Sequence, residues 1–353
     1  MNAFGRIFRI NIFGESHGES AGVNIDGCPA GLSLTVADFV EDIERRKGGT
    51  QKGTTPRKED DLPIFKSGVF NGKTTGAPIT ILFENNNTRS GDYEKQRAVP
   101  RPGHADFTAH AKFGGHEDFR GGGHFSGRLT VCLVAAGVIA KKLLAQVNPN
   151  HDQHPFGEGL GEVEPKDDGI NVAATILEIG GETDLEKGLQ KAIDQKDSIG
   201  GIVECRVNGL PVGLGEPFFD SVESAVSHAV FAIPAIRGIE FGTGFAAAKM
   251  FGVDHNDVIE DKTGKTTTNH AGGVVGGITN GNELVFRIAV KPTSSTPKEQ
   301  HTLNWETGAV ESFSVKGRHD LCIALRVPVV LEAVTAMVLV DLMMLEHRIK
   351  RIL

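Results

Sequence analysis

The sequence predicts an α+β fold in which mostly antiparallel sheets pack on helices. Three observations carry that prediction. Short stretches alternating apolar and polar residues recur along the chain, as at 6–13, 200–207 and 284–290. Two long apolar runs, Val131 to Ala140 and the stretch around Ala333 to Val340, ask for buried helices. Strands do not alternate one for one with helices, so a regular βαβ array fits less well. Both halves also share an order of strands, amphipathic helix, Gly-rich loop and long apolar helix, a hint of pseudo-repeat without residue-level repetition.

In order, 6–13 reads as a strand broken by Gly14-Glu-Ser-His-Gly18, a turn that presents Ser16 and His17. A second strand surrounds Val23 and Ile25. Thr35 supplies an N-cap, and Val36, Phe39, Val40 and Ile43 at i, i+3, i+4, i+7 predict an amphipathic helix over 36–47. Its last turn carries Arg45, Arg46 and Lys47. Cations there suit the helix dipole, while the polar, Gly-rich continuation through Lys52 suits a basic loop over an anionic ligand. Strands follow near 66–70 and 79–83.

After the central stretch, Leu129 to Val147 reads as a helix and 148–170 as a polar surface excursion. A strand at 172–179, a helix near 184–195, a strand at 200–207 and helical spacing at Val222, Ala225, Val226 and Ala229 come next. Phe241 to Phe251 is mixed, and Asn269 to Gly277 is a second Gly-rich loop. Leu284 to Val290 is a strand that stops at Lys291-Pro-Thr-Ser-Ser295. Lys316-Gly-Arg-His-Asp320 precedes a final buried helix at about 328–348.

Composition narrows the function classes. A net charge of -8 argues against a nucleic-acid partner, so any anion site must be a local basic pocket. Glycine, at 45 of 353 residues, is well above the usual share of about 7%, without collagen-like period. Cys28, Cys132, Cys205 and Cys322 are far apart, with no Cys-x-x-Cys, as expected of reduced buried thiols in a cytoplasmic protein. The N-terminus lacks a signal-peptide layout, and the apolar runs fall short of the roughly 20 residues of a membrane span. A soluble chain with no membrane partner is expected.

Chemistry concentrates in Arg101 to Thr130, which holds Arg101, Arg120, Arg128, four histidines and Gly121-Gly122-Gly123. Three consecutive glycines are expected where the main chain turns sharply or lies close against a ligand. The loop feeds a helix start, whose free N–H groups would face an anion together with Arg120, His124, Ser126 and Arg128. A flexible surface loop with scattered charges is the alternative.

Two nucleotide signatures fail. Gly264-Lys265-Thr266 resembles a P-loop end, but Ile259 stands where its leading glycine belongs. Gly242-x-Gly244-x-x-Ala247 lacks a clear strand-turn-helix setting. A metal site is the rival, yet His104, His110, His116 and His124 are spaced six, six and eight apart, never i, i+4. What remains suits a reaction that moves a phosphate while a histidine supplies a proton, with arginine forks holding carboxylate or phosphate.

The motifs in their order resemble one family. Gly14-Glu-Ser-His-Gly18, Arg45-Arg46, Arg101-Pro-Gly-His-Ala-Asp106, Arg120-Gly-Gly-Gly123 with Ser126-Gly-Arg128, Asp197-Ser-Ile-Gly200, Gly213-Leu-Gly-Glu-Pro217, Asn269-His-Ala-Gly-Gly273, Lys291-Pro-Thr-Ser-Ser295 and Lys316-Gly-Arg-His-Asp320 look like chorismate synthase. The resemblance covers nearly the whole chain and implies a single domain over 1–353. It implies a β-α-β sandwich, a helical layer between two antiparallel β-sheets, assembled as a homotetramer. The implied reaction is anti-1,4-elimination of phosphate from 5-enolpyruvylshikimate 3-phosphate, giving chorismate and needing reduced FMN without net redox. A metal-dependent phosphohydrolase is the alternative.

Carried over by motif, His104 would protonate the departing phosphate. His17, with Ser16 beside it, would face the reduced flavin, and Asp320 would relay a proton. Arg45, Arg46, Lys52, Arg101, Arg128 and Arg326 would hold the substrate's anionic groups. For FMN the resemblance points to His124, Phe125, Ser126, Pro234, Ala235, Gly276, Lys291, Pro292, Thr293, Ser294, Ser295 and Arg318. Two residues depart from the family's habit: His124 and Lys52 each stand where arginine is usual, and lysine replaces a bidentate fork by a point charge. No added segment suggests an NADPH site, so an external flavin reductant is expected.

Overall fold

The computed structural model describes residues 2–49, 51–55, 59–87, 97–147, 169–315 and 319–353. Its strands are β1 (Ala3–Phe4), β2 (Arg9–Gly14), β3 (Ser20–Asp26), β4 (Ile64–Ser67), β5 (Val69–Phe70), β6 (Lys73–Thr74), β7 (Ile79–Glu84), β8 (Asn171–Ile179), β9 (Gly201–Asn208), β10 (Ile236–Phe241), β11 (Val274–Val275), β12 (Ile278–Thr279), β13 (Leu284–Val290), β14 (Gln300–Leu303) and β15 (Val310–Phe313). The α-helices are α1 (Val40–Arg46), α2 (Asp106–Phe113), α3 (Thr130–Leu144), α4 (Leu185–Gln195), α5 (Val222–Val230), α6 (Gly252–His255) and α7 (Val327–Leu345).

Two antiparallel sheets dominate. The first runs β1-β2-β3-β7-β4 and the second β10-β13-β9-β8. Their core-facing residues follow from alternation: Val23 and Ile25 on β3, and Phe286 and Ile288 on β13, are buried. Helix α3 packs on the first sheet through β2, β3 and β7, α7 packs on the second through β8 and β9, and the two helices lie against each other. Gly137 is what allows that approach. A Cβ there would sit 2.2 Å from the Ala333 Cβ, so the helix-weakening glycine is the cost of close packing.

The sequence placed the strands and long helices closely and erred in informative places. The helix expected over 36–47 opens as a 3-10 turn, Val36–Phe39, with Thr35 and Asp38 forming a capping box. Its buried stripe is Phe39, Asp42, Ile43 and Arg46, whereas Val36 and Val40 are exposed. The apolar stripe was offset because two charged side chains are buried in ion pairs. α2, β10 and the β14–β15 hairpin were not predicted. The excursion expected over 148–170 lies mostly outside the described residues.

The final helix also corrects an estimate made from apolar runs alone. The helical stretch Ile323–Leu345 is long and apolar enough, by length and composition, to cross a membrane, but most of it is buried in the core. Its continuity depends on two paired carboxylates. Glu332 accepts from Arg45 and Lys141, and Asp341 accepts the backbone N–H groups of Arg6, Ile7 and Phe8 at 2.7–3.0 Å. The four cysteines are buried and free, and burial pushes the Cys132 and Cys205 thiols up to about 12.

Candidate active site

A cavity of about 940 Å³ opens where the first sheet's turns meet the starts of α2, α3 and α7 and the end of β13. One wall is apolar, formed by Ile10, Leu133, Val330, Val334 and Met337. The other is made of the polar motifs.

The Gly14–Gly18 turn is locked from two sides. Ser16 N donates to Gly123 O at 3.0 Å, and the Asn85 side-chain amide donates to Glu15 O and Gly18 O at 3.0 and 2.9 Å. Ser16 is wholly buried and its Oγ has no hydrogen-bond partner. The triple glycine then runs between two imidazoles. Gly121 has φ +62°, and a Cβ there would stand 2.4 Å from His17 Cδ2; one at Gly122, φ +84°, would stand 3.1 Å from His104 Cε1. Both the left-handed backbone and the missing side chain are therefore required. Successive glycines seat His17 and His104 side by side.

His104 belongs to the segment entering α2. Its Nδ1 lies 2.5 Å from Asp106 Oδ1, and Arg101 grips the same carboxylate through Nε at 2.7 Å and Nη2 at 2.8 Å. Burial raises the affinity of Asp106 for a proton, but the hydrogen bonds from Arg101 and His104 outweigh it and hold the carboxyl well below the usual range.

Opposite stands the loop after β13. Lys291 Nζ donates to Ser294 Oγ at 2.7 Å, Ser294 Oγ donates to Gly103 O at 2.7 Å, and Arg101 Nη1 reaches Ser295 Oγ at 3.4 Å. The Asp197-Ser198 pair, a motif without an assigned role, is what holds this loop: Asp197 accepts from Thr296 Oγ1, and Ser198 Oγ donates to Thr293 O. Thr293 Oγ1 is buried without a partner. Burial, then neighbouring Arg237, pushes the Lys291 ammonium below its ordinary value. Neither cation has a carboxylate partner among the described residues.

Deeper, Arg46 and Arg128 share Asp61, whose side chain is fully buried. Each nitrogen of the Arg128 guanidinium is engaged, its Nε donating to Asn85 Oδ1 and its Nη2 to Glu84 O. Burial pushes the Arg46 guanidinium down to about 10, which still leaves it charged at neutral pH. Arg326 pairs with Asp320 at 3.0 Å and donates to Arg46 O, while Asp320 also accepts from Thr55 N.

The structure thus brings His17, His104, Asp320, Arg46, Arg101, Arg128, Arg326, His124, Phe125, Ser126, Pro234, Ala235 and Lys291 to Ser295 around one cavity, with Ser16 behind Gly121. It does not bring Arg45, Lys52 or Gly276 there. Arg45 points the other way from Arg46, because residues adjacent in a helix project about 100° apart, and it is spent on Glu332 and Asp42. Lys52 lies against Gln190 Oε1 at 3.4 Å, beside α4. Gly276 closes the β11–β12 turn with nothing within 4 Å of its Cβ position. Arg120, expected to face an anion, is taken by Asp118. Arg318 lies outside the described residues.

Sequence reasoning missed Asp61, Asn85, Asp106, Arg237 and His319. Asp106 and His319 stood inside quoted motifs, and Asp61 and Asn85 carried no motif signal. His319 lines the cavity with Nε2 buried and unpartnered; burial, then Arg101, keeps its imidazole below the ordinary value. His124 Nδ1 is turned to Gly14 O at 2.8 Å.

An α+β scaffold with a cationic cleft and two imidazoles seated on a glycine run defines an enzyme acting on a polyanionic small molecule. Comparison with known proteins makes this specific. A family model described as chorismate synthase matches residues 8–344. A chorismate synthase of Chitinophaga pinensis is 70% identical over 352 residues, covering 100% of this chain and 99% of that one. One from Dehalococcoides mccartyi is 43% identical over 362 residues, with 100% and 99% covered. A crystal structure of chorismate synthase matches in fold with a TM-score of 0.70 at 24% identity, over 97% of this chain and 93% of that one. The chain belongs to the chorismate synthase family. Its activity is that of a carbon–oxygen lyase that eliminates phosphate from 5-enolpyruvylshikimate 3-phosphate to give chorismate, and the phosphohydrolase alternative has no support.

Proposed function

We propose that the elimination is carried out in this cavity with reduced FMN as cofactor, His104 supplying the proton to the departing phosphate. The observation that carries the reading is the pair of imidazoles on successive glycines, facing a loop whose lysine has no carboxylate partner among the described residues. The residues fit a flavin and its phosphate. Lys291 and the orphaned Thr293 hydroxyl offer an anion donors that the protein leaves unused, and the apolar wall suits a ring system. The chemistry a reduced flavin would supply is transient electron donation to the breaking C–O bond, recovered without net redox.

The chain's own groups do the rest. Arg101, Arg128, Arg46 and Arg326, each already oriented by a carboxylate, hold the substrate's anionic groups at fixed positions, which lowers the cost of ordering the complex. His17 and Ser16 set the polarity beside the other face of Gly121. Asp320, braced by Arg326 and Thr55 N, would relay a proton on the flavin side. Ile10, Leu133 and Val330 keep water from the reacting atoms.

Other expectations of the resemblance remain part of this proposal. The contacts of α3 and α7 with the two sheets support a β-α-β sandwich built as a single domain. The exposed Phe218, Phe219, Phe245 and Phe251 favour a homotetramer. A cytoplasmic location, which the four free buried cysteines support, and an external flavin reductant belong to the same proposal.

The test is to mix protein, phosphorylated substrate and chemically reduced FMN without oxygen. Chorismate and phosphate are expected in equal amounts; product formed equally well without flavin sinks the cofactor assignment. His104→Ala and His17→Ala are expected to fold normally and lose at least about 10²-fold in turnover. Near-wild-type rates from both refute their roles.

A further inference from the structure

We infer that Asp106 is a positioning residue for the elimination: it fixes the His104 tautomer, with the proton on Nδ1, so that only Nε2 faces the cavity. The inference deepens the reading of His104 as proton donor and rests on it.

The argument begins with the donors around one carboxylate. Asp106 Oδ2 accepts from Arg101 N at 3.0 Å and from Arg101 Nε at 2.7 Å; Oδ1 accepts from Arg101 Nη2 at 2.8 Å and faces His104 Nδ1 at 2.5 Å. Asp106 is held ionised by these partners, so it has no proton to give. An acceptor 2.5 Å from a ring nitrogen requires that nitrogen to carry hydrogen. Nδ1 is therefore the N–H, and the 3.1 Å approach of Arg101 Nη2 to the same nitrogen is two donors side by side at one oxygen rather than a hydrogen bond.

With Nδ1 committed, the working nitrogen is Nε2, 3.2 Å from where a Cβ on Gly122 would stand. The carboxylate also offsets the charge of Arg101. An imidazolium at His104 then meets a neutral Arg101–Asp106 pair instead of a bare guanidinium, with His319 a further titratable group close enough to feel it. Asp106 opens α2, whose N-terminal dipole favours the anion, so the carboxylate is anchored by the same helix start that carries it.

Asp106→Asn separates these roles. Each carboxylate oxygen meets two donors, but only His104 Nδ1 can give up its hydrogen, so the amide oxygen takes the Oδ2 position and the amide N–H groups point at His104 Nδ1. Nδ1 becomes the acceptor and the proton moves to Nε2. In enzymes built on a carboxylate–imidazole pair the same substitution costs about 10⁴-fold in kcat through the wrong tautomer.

The experiment is nitrogen NMR of the ligand-free, full-length protein with labelled histidine, above the pH at which imidazoles are neutral. The His104 signal is identified by its loss in His104→Gln. The wild type is expected to show Nδ1–H and a bare Nε2, and Asp106→Asn to show the reverse, with kcat down about 10³-fold or more and substrate affinity changed less than about tenfold. A wild-type His104 protonated on Nε2, or a tautomer unmoved in a folded Asp106→Asn protein, overturns the inference. The spectrum decides it without turnover. A switched tautomer with undiminished turnover overturns the catalytic half of the inference, and the proton-donor reading with it.

Discussion

Two cationic regions of the cavity are built on opposite terms. At the floor, Arg46 and Arg128 are buried against Asp61, and Arg128 has every donor group engaged. At the rim, Lys291 and Arg237 stand together without a carboxylate among the described residues, beside a buried threonine hydroxyl that has no partner there either. Both floor cations already share a carboxylate, with Arg46 Nε left as a donor without a partner among the described residues, whereas the rim cations have no carboxylate there. A buried charge can be kept permanently only if it is paired, whereas a charge meant to receive an anion must be left partly unsatisfied and near solvent.

The largest effect should come from unpairing the floor. Asp61→Ala strands two guanidiniums in the interior and is expected to cost about 3–5 kcal/mol of stability, read from denaturant midpoints. A loss under about 1 kcal/mol breaks the comparison, because it means the floor was already hydrated. The rim should behave oppositely. Lys291→Ala is expected to weaken FMN binding about 10–100-fold by flavin fluorescence while leaving riboflavin binding and the melting temperature unchanged. Equal losses for FMN and riboflavin would move the phosphate away from Lys291.

Arg45→Met sharpens the contrast between adjacent arginines. It removes a partner of buried Glu332, so about 1–3 kcal/mol of stability should go while substrate affinity stays within about twofold. A large affinity loss would return Arg45 to the cavity. The smallest effect is a pH slope. His319 has its folded value lowered, so below the ordinary imidazole range the unfolded chain binds the proton first and stability falls with falling pH. The slope ends once the pH drops through the folded value. Between about pH 7.5 and pH 5.5 the wild-type melting temperature should fall more than that of His319→Gln. Parallel curves would mean that His319 is solvated.

The same contrast explains what the sequence disclosed. Elements set by apolar periodicity were legible: β13 was placed at Leu284–Val290 to the residue, and α4 within one residue at its start. Motif residues around the cavity were legible because glycine runs and histidines have few other uses. Helix α2 was not, since it buries only Ala109 and leaves Phe107 and Phe113 exposed, so it shows no apolar face to read. Arg45 and Arg46 cannot be told apart by composition, because their difference is a rotation about α1. Asp61 was invisible for a similar reason: one member of the acidic run Glu59-Asp60-Asp61 gains meaning only when two distant arginines fold onto it.

The Asp341 carboxylate gathers the N–H groups of Arg6, Ile7 and Phe8, partners more than 330 residues apart in sequence. The strand that follows them carries Ile10 and Ile12 into the cavity wall. During synthesis that strand can pair with β3 early, but its clasp to Asp341 must wait until the last long helix has left the ribosome. A high contact order of this kind slows folding, and it makes a competent chamber a property only of chains translated almost to their end.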